Sequence, residues 1–201
     1  MARPREFDEE AVLDAATQHF WLRGYEATSI RDLTGCTGLT GASLYNAFGD
    51  KRSLYQTVLD RYVERSVAER IRRCNAEPPR PAILQFFADI LSRSLGDDDH
   101  KGCLLVNTAL DVAPHDPEFK AIVAAVLLRI ETFFREKAEA GIADGSIASM
   151  QPAADLARHL LGILMGIRVL ARVRPEPELL EGIVRSVEAL LGEPEPPARL
   201  S

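Results

Sequence analysis

Positive charge is scarce in this chain. Its 24 Lys and Arg face 30 Asp and Glu, a formal net charge of -6. A generally basic surface is therefore excluded as a means of holding a polyanion. Cysteine is scarce too: Cys36, Cys74 and Cys103 are odd in number and scattered through 201 residues. That argues against a disulfide framework and fits a reducing compartment. No run of about eighteen apolar residues occurs, so no membrane-spanning helix is expected. The opening MARPREFDEE lacks the apolar stretch of a secretory signal, and a cytoplasmic location is expected. Catalytic patterns are missing as well. There is no nucleophile–base pairing, no His/Cys cluster at ligand spacing and no phosphate-cradling loop, so neither an enzyme nor a cofactor is expected. Asp97-Asp98-Asp99-His100 carries donor types that suit a metal. No second His or Cys cluster accompanies it, and the run reads as a solvated acidic loop, with no metal site expected.

What is present is helical periodicity, in a chain that is 46% hydrophobic. One stretch, TSIRDLTGCTGLTGASLYNAFGDK from Thr28 to Lys51, organises the rest. Ser29-x-x-Asp32 and Thr40-x-x-Ser43 each place a hydroxyl at a helix start, where it accepts orphan backbone N–H groups. Between them Gly35-Cys36-Thr37-Gly38 reads as a tight turn, with Gly38 free to take positive φ. Ile30 and Leu33 share one face of the first helix, Leu44 and Phe48 one face of the second. Leu39 can staple onto Leu44. The pattern predicts a helix-turn-helix over 29–48. Its outward face carries Gly41, Ala42, Ser43, Tyr45 and Asn46.

A Thr-Ser helix start, a Gly-rich turn and then Ser-Leu-Tyr-x-x-Phe-x-x-Lys resemble the DNA-binding head of TetR-type (TetR/AcrR) transcription regulators. Here those positions are Thr28-Ser29, Gly38, Ser43-Leu44-Tyr45, Phe48 and Lys51. The resemblance covers roughly the first sixty residues. It implies an all-α homodimer, most commonly a repressor, with a three-helix head and a larger C-terminal body that holds a small-molecule effector. It also implies that Lys51 meets phosphate. Two positions depart from the family's pattern: a lysine commonly stands at Gly41 and a glycine at Ala42. The head is not basic, since residues 1–65 hold eight basic and ten acidic residues. DNA binding must then rest on where charge and hydroxyls are placed. Ala42 can touch a thymine methyl, and Ser43 or Asn46 can bond a base edge. Tyr45, Thr28, Ser29 and Thr40 suit phosphate oxygens. Lys51 opens the fourth helix, where the helix dipole disfavours a cation, and that conflict favours a functional role. Arg3 and Arg5 can form a short basic arm. Cys36, in the turn, reads as a small buried hydrophobe.

About nine helices are expected in all. The head is assigned to 1–65, the ligand-binding and dimerisation body to 66–192 and a disordered, proline-rich tail to 193–201. The fourth helix runs from Asp50 to about Arg73, and Pro78-Pro79-Arg80-Pro81 breaks the chain after it. Pro81–Leu95 forms the fifth helix. Gly102-Cys103-Leu104-Leu105-Val106-Asn107 opens the sixth and resembles one branch of the TetR-type family, some members of which sense electrophiles through a cysteine here. Lys101, two residues before Cys103, is expected to favour its thiolate. Pro117 to about Ala140 is the seventh. The effector is expected among Phe86, Phe87, Cys103, Asn107, Phe133 and His159, in an apolar, aromatic pocket also touched by Phe134. Pro152–Val173 and Glu178–Leu191, the eighth and ninth helices, are apolar enough to pair with their symmetry mates. Two heads then read a palindromic double-stranded operator. Two competing readings keep the fold: a thiol switch through Cys103, and a helical dimeric binding protein that no longer uses DNA.

Overall fold

The computed structural model describes residues 7–193. Arg3, Arg5 and all of the 193–201 tail except Glu193 lie outside that range. The elements are α1 Glu9–Arg23, α2 Ile30–Thr37, α3 Gly41–Phe48, α4 Lys51–Val63, a π-helical segment Glu64–Ala68, α5 Glu69–Asn75, α6 Pro79–Leu95, α7 Leu104–Asp111, α8 Pro117–Ala143, α9 Ala153–Val173 and α10 Pro177–Leu191. No strand occurs among the described residues, and none of their helices is long and apolar enough to cross a membrane.

Two compact units are present, and they do not follow the linear division at residue 65. The first runs to Arg65 and also takes in Cys103–Val123; the second holds Ser66–Gly102 and the described residues from Ala124 onward. The sequence gives no local sign of this, because what joins α7 to the first unit is side-chain packing. Tyr55 of α4 and Thr108 of α7 meet through their hydroxyls at 2.8 Å, both buried. Thr108 already donates to the Leu104 carbonyl at 2.8 Å, so Tyr55 is the donor in that pair. Phe20, Tyr25, Tyr55 and Phe119 gather around it, with ring centroids 4.8–6.5 Å apart. Burial pushes the Tyr55 phenol up to about 12. Arg52 donates to Asp116 at 2.8 Å and 3.1 Å and to Glu118 at 2.7 Å. The Arg52 guanidinium holds the Asp116 carboxyl down at about 2.

The second unit is built on rings from α6 and α8. Phe87 and Phe134 stack at 5.5 Å, Phe86 and Phe133 at 5.4 Å. All four are at most 2% exposed. α6 packs on α5, α9 and α10, and α9 packs on α10. α10 is closed by Gly192 at φ +67, and the Ala148 amide donates to the Leu191 carbonyl at 2.9 Å. Arg80 donates to the Gly192 carbonyl.

Three boundaries differ from the sequence expectation. α2 continues through Thr37, so the turn is Gly38-Leu39-Thr40 and Gly35 is helical. The expected fourth helix is interrupted by the π-helical segment. One inserted residue produces such a segment, and periodicity over a single window does not reveal it. Cys103 is the N-cap of α7 and not part of its first turn.

Candidate nucleic-acid interface

α2 and α3 are eight residues each and bury one residue each, Leu33 and Leu44. Helices this short are marginal in isolation, so their ends matter. At α2 the capping box is complete. The Asp32 amide donates to the Ser29 hydroxyl at 3.2 Å, and the Ser29 amide donates to Asp32 Oδ2 at 2.9 Å. The Ser29 hydroxyl also donates to Asp32 at 2.6 Å, and these bonds hold the Asp32 carboxyl below its ordinary range. α2 ends on Gly38 in the left-handed region, φ 70° and ψ 4°, whose amide donates to the Thr34 carbonyl. A side chain at Gly38 would strain that turn. α3 starts on Thr40, whose hydroxyl accepts the Ser43 amide at 3.2 Å and lies 2.9 Å from the Ser43 hydroxyl.

With Leu44 turned inward, α3 presents Ala42, Tyr45 and Asn46 outward, spaced by three and four residues. All three are exposed, Tyr45 at 51%. Gly41 and Ser43 are half-buried beside them, and Thr40 is exposed at the helix start. Six of the nine candidate DNA-binding residues therefore share one surface. Ser29 is exposed at the start of α2, although its hydroxyl is occupied in the capping box. A Cβ at Gly41 would meet Ile30 Cγ2 at 3.9 Å, an ordinary contact. Space therefore does not require glycine there.

Thr28 is corrected, and Lys51 is engaged inside the head. Thr28 is 1% exposed and its hydroxyl donates to the Gly24 carbonyl at 2.7 Å; it is an internal tie in the α1–α2 loop. Lys51 is not held out toward solvent by default. Its ammonium donates to the Tyr25 and Thr28 carbonyls, both at 3.0 Å, and sits 4.2 Å from the Tyr25 ring centroid. The conflict with the helix dipole is resolved inside the head, because those carbonyls and the ring supply the negative potential. Tyr25 was missed as a partner. The only sequence signal around it, Arg23-Gly24-Tyr25, reads as a helix stop. Cys36 is exposed, contrary to expectation, because α2 runs on through Thr37.

The expected effector residues fall in both units. In the first, Cys103 is 6% exposed and accepts from the Tyr62 hydroxyl at 3.4 Å, and Asn107 is 8% exposed. Trp21 packs edge-on against Tyr62 at 5.0 Å. Lys101, the expected counter-charge for the thiol, belongs to the second unit and is held there by Asp97 at 2.6 Å and Asp99 at 2.8 Å. In the second unit, Phe86, Phe87 and Phe133 belong to the ring core described above, which makes them packing residues before anything else. Phe133 also lines a shallow groove of about 360 Å³ with Ile71, Leu128 and Thr132. His159 is exposed on α9 and not enclosed within the subunit.

The sequence matches the family described as bacterial regulatory proteins, tetR family, over residues 12–58, and that described as Tetracyclin repressor-like, C-terminal domain, over 79–187. It is 37% identical over 114 residues to the HTH-type transcriptional repressor ComR of Escherichia coli (strain K12). That match covers 56% of this chain and about half, 54%, of ComR. It is 28% identical over 189 residues to the HTH-type transcriptional regulator YezE of Bacillus subtilis (strain 168), covering 90% of this chain and 94% of YezE. Among solved structures, a cysteine mutant of the regulator CifR complexed with 26-bp double-strand operator DNA superposes with a TM-score of 0.81 at 31% identity. That likeness covers 92% of this chain and 97% of the other. The capped α2–α3 pair, its outward surface and these likenesses lead to one conclusion: this chain belongs to the TetR family.

Proposed function

We propose that the protein is a ligand-responsive transcriptional repressor of the cytoplasm, and not an enzyme, whose α3 enters the major groove of a palindromic operator. The observation that carries this is the surface made by Thr40, Gly41, Ala42, Ser43, Tyr45 and Asn46 on a helix held by caps at both ends. It faces outward, it is not acidic, and it belongs to a chain 31% identical to a regulator solved on operator DNA. Ala42 suits a thymine methyl, Ser43 and Asn46 suit base edges, and Tyr45 suits a phosphate. The first amides of α3 and the Thr40 hydroxyl add anion contacts. Lys51 supports this surface by fixing the α1–α2 loop, and one of its three N–H donors remains for a phosphate.

Two copies place two such surfaces on one duplex. α9 supports this with an outward strip of Gly162, Gly166, Val169 and Val173, where Val169 is 43% and Val173 67% exposed. α10 adds half-buried Leu179, Ile183 and Leu190 off its buried face. Apolar residues paired with small ones on neighbouring helices suit a four-helix interface between copies. A small effector bound better by the form that releases DNA would complete the switch.

The test is an anisotropy titration of the full chain against the DNA upstream of its own gene at two salt concentrations. Affinity should fall steeply with salt, and Tyr45→Ala and Asn46→Ala should weaken it selectively. Gly41→Lys, which the local space admits, should tighten binding and steepen the salt dependence. Equal affinity for unrelated DNA, or indifference to all three changes, would remove the repressor reading. A thiol switch is the second reading, favoured by the Tyr62–Cys103 contact. It requires alkylation to release DNA in the parent chain and not in Cys103→Ala.

A further inference from the structure

From Leu33 to Gly49 the chain holds no Asp, Glu, Lys, Arg or His. That stretch includes the turn between α2 and α3 and the whole of α3, GASLYNAF. The α3 surface offered to a duplex is therefore uncharged, and this limits which bases it can read. Arginine and lysine match the two acceptors on the major-groove edge of guanine, and a carboxylate matches the cytosine amino group. α3 carries none of these side chains.

What α3 does carry selects for the other base pair. Ala42, Tyr45 and Asn46 are exposed, and the side chains of Tyr45 and Asn46 make no hydrogen bond among the described residues. A carboxamide holds an acceptor oxygen and a donor NH2 side by side. Adenine presents the complement in the major groove, its N7 acceptor beside its N6 donor, whereas guanine presents two acceptors, N7 and O6. Asn46 can therefore make two bonds to adenine but only one to guanine, with its oxygen turned against O6. Ala42 offers a methyl, and the only methyl on a base edge in that groove belongs to thymine. The Thr40 and Ser43 hydroxyls, 2.9 Å apart, can donate or accept and so do not choose between bases. Ala42 and Asn46 stand four residues apart, about 6 Å along the helix, against about 3.4 Å per base-pair step. They address base pairs one or two steps apart.

We infer that each operator half-site is A·T at the steps under α3: an adenine read by Asn46 and, one or two steps away, a thymine read through its methyl by Ala42. This rests on the DNA-binding reading above and names the chemistry of the partner. Arg31, exposed on the first turn of α2, is not bound by this restriction.

The experiment is a selection of random-sequence duplexes with the full chain, followed by anisotropy titrations on the selected site with one base analogue placed in both half-sites. 7-Deazaadenine deletes N7, uracil deletes the thymine methyl, and 2,6-diaminopurine alters only the minor-groove edge of adenine. At the steps under α3, 7-deazaadenine and uracil should each weaken binding by about 5-fold or more, and 2,6-diaminopurine by about 2-fold or less. Asn46→Ala should erase the 7-deazaadenine penalty and leave that of uracil; Ala42→Gly should do the reverse. The steps under α3 are those whose penalties move with these substitutions. Asn46→Arg, selected afresh, should replace that adenine by guanine. Guanine at those steps in the parent's site, with 7-deazaguanine weakening binding, would overturn the proposal. So would analogue penalties that persist in every variant, or a selected site unchanged by Asn46→Arg. A parent chain that selects no sequence removes the repressor reading itself. A selected site with guanine under α3 keeps that reading and removes the A·T assignment alone.

Discussion

The helix-turn-helix and the second unit are held by different kinds of contact. α2 and α3 bury one side chain each, and their order comes from groups three or four residues apart: Ser29 with Asp32, Thr40 with Ser43, Gly38 with Thr34. In the second unit, α6 buries six residues and α9 seven, and the rings that meet there come from sequence positions nearly fifty apart. The first arrangement leaves an outward helix face free for a partner and depends on polar bonds of modest strength. The second depends on close packing, where a missing ring leaves a cavity.

The largest test of this contrast lies in the ring core. Phe134→Ala should lower unfolding free energy by about 3–5 kcal/mol, read in urea or heat. A loss of under about 1 kcal/mol would mean that the stacked rings are not what holds the second unit together. The next test lies at high pH. The buried Tyr55 phenol has its folded value raised to about 12 from an ordinary 10. Its contribution is full below pH 10 and lost as pH rises toward 12, about 2–3 kcal/mol in size. Tyr55→Phe should flatten that alkaline limb, and an unchanged limb would remove the assignment.

Lys51→Met tests whether the long-range tie in the head exceeds its local caps. It strands the Tyr25 and Thr28 carbonyls and should cost about 1.5–3 kcal/mol. It should weaken operator binding together with stability; a change in affinity at unaltered stability would point to phosphate contact alone. Ser29→Ala removes the α2 capping box and should cost about 1 kcal/mol, visible as earlier amide exchange in α2. The smallest effect belongs to the half-buried Arg52–Asp116 pair at the surface. The depressed Asp116 carboxyl contributes above about pH 4, and that contribution fades as pH falls toward about 2. Asp116→Asn should blunt this acid limb, and added salt should shrink it.

Much of the head was legible because its signals are local. Hydroxyl caps, the glycine stop and an apolar residue every three or four positions specify α2, α3 and the outward placement of Ala42, Tyr45 and Asn46. The burial of Thr28 and the internal bonds of Lys51 are not legible for the opposite reason: their acceptors lie in a loop whose course is set by tertiary packing. Phe86, Phe87 and Phe133 were read as a pocket because composition cannot distinguish rings that line a space from rings that fill it. His159 shows the same gap, since a mostly apolar helix does not announce which side faces out.

The sequence by itself determined the helical class, most of the helix boundaries, the helix-turn-helix and the identity of its exposed face. These follow from bonds between residues within a turn or two of each other, so the order of residues is enough to specify them. Tertiary structure alone decided that Cys103–Val123 packs with the first unit, that Lys51 closes a loop and that Phe86, Phe87 and Phe133 fill a core. Those outcomes depend on which surfaces exclude water from one another, and burial is a property of the assembled chain.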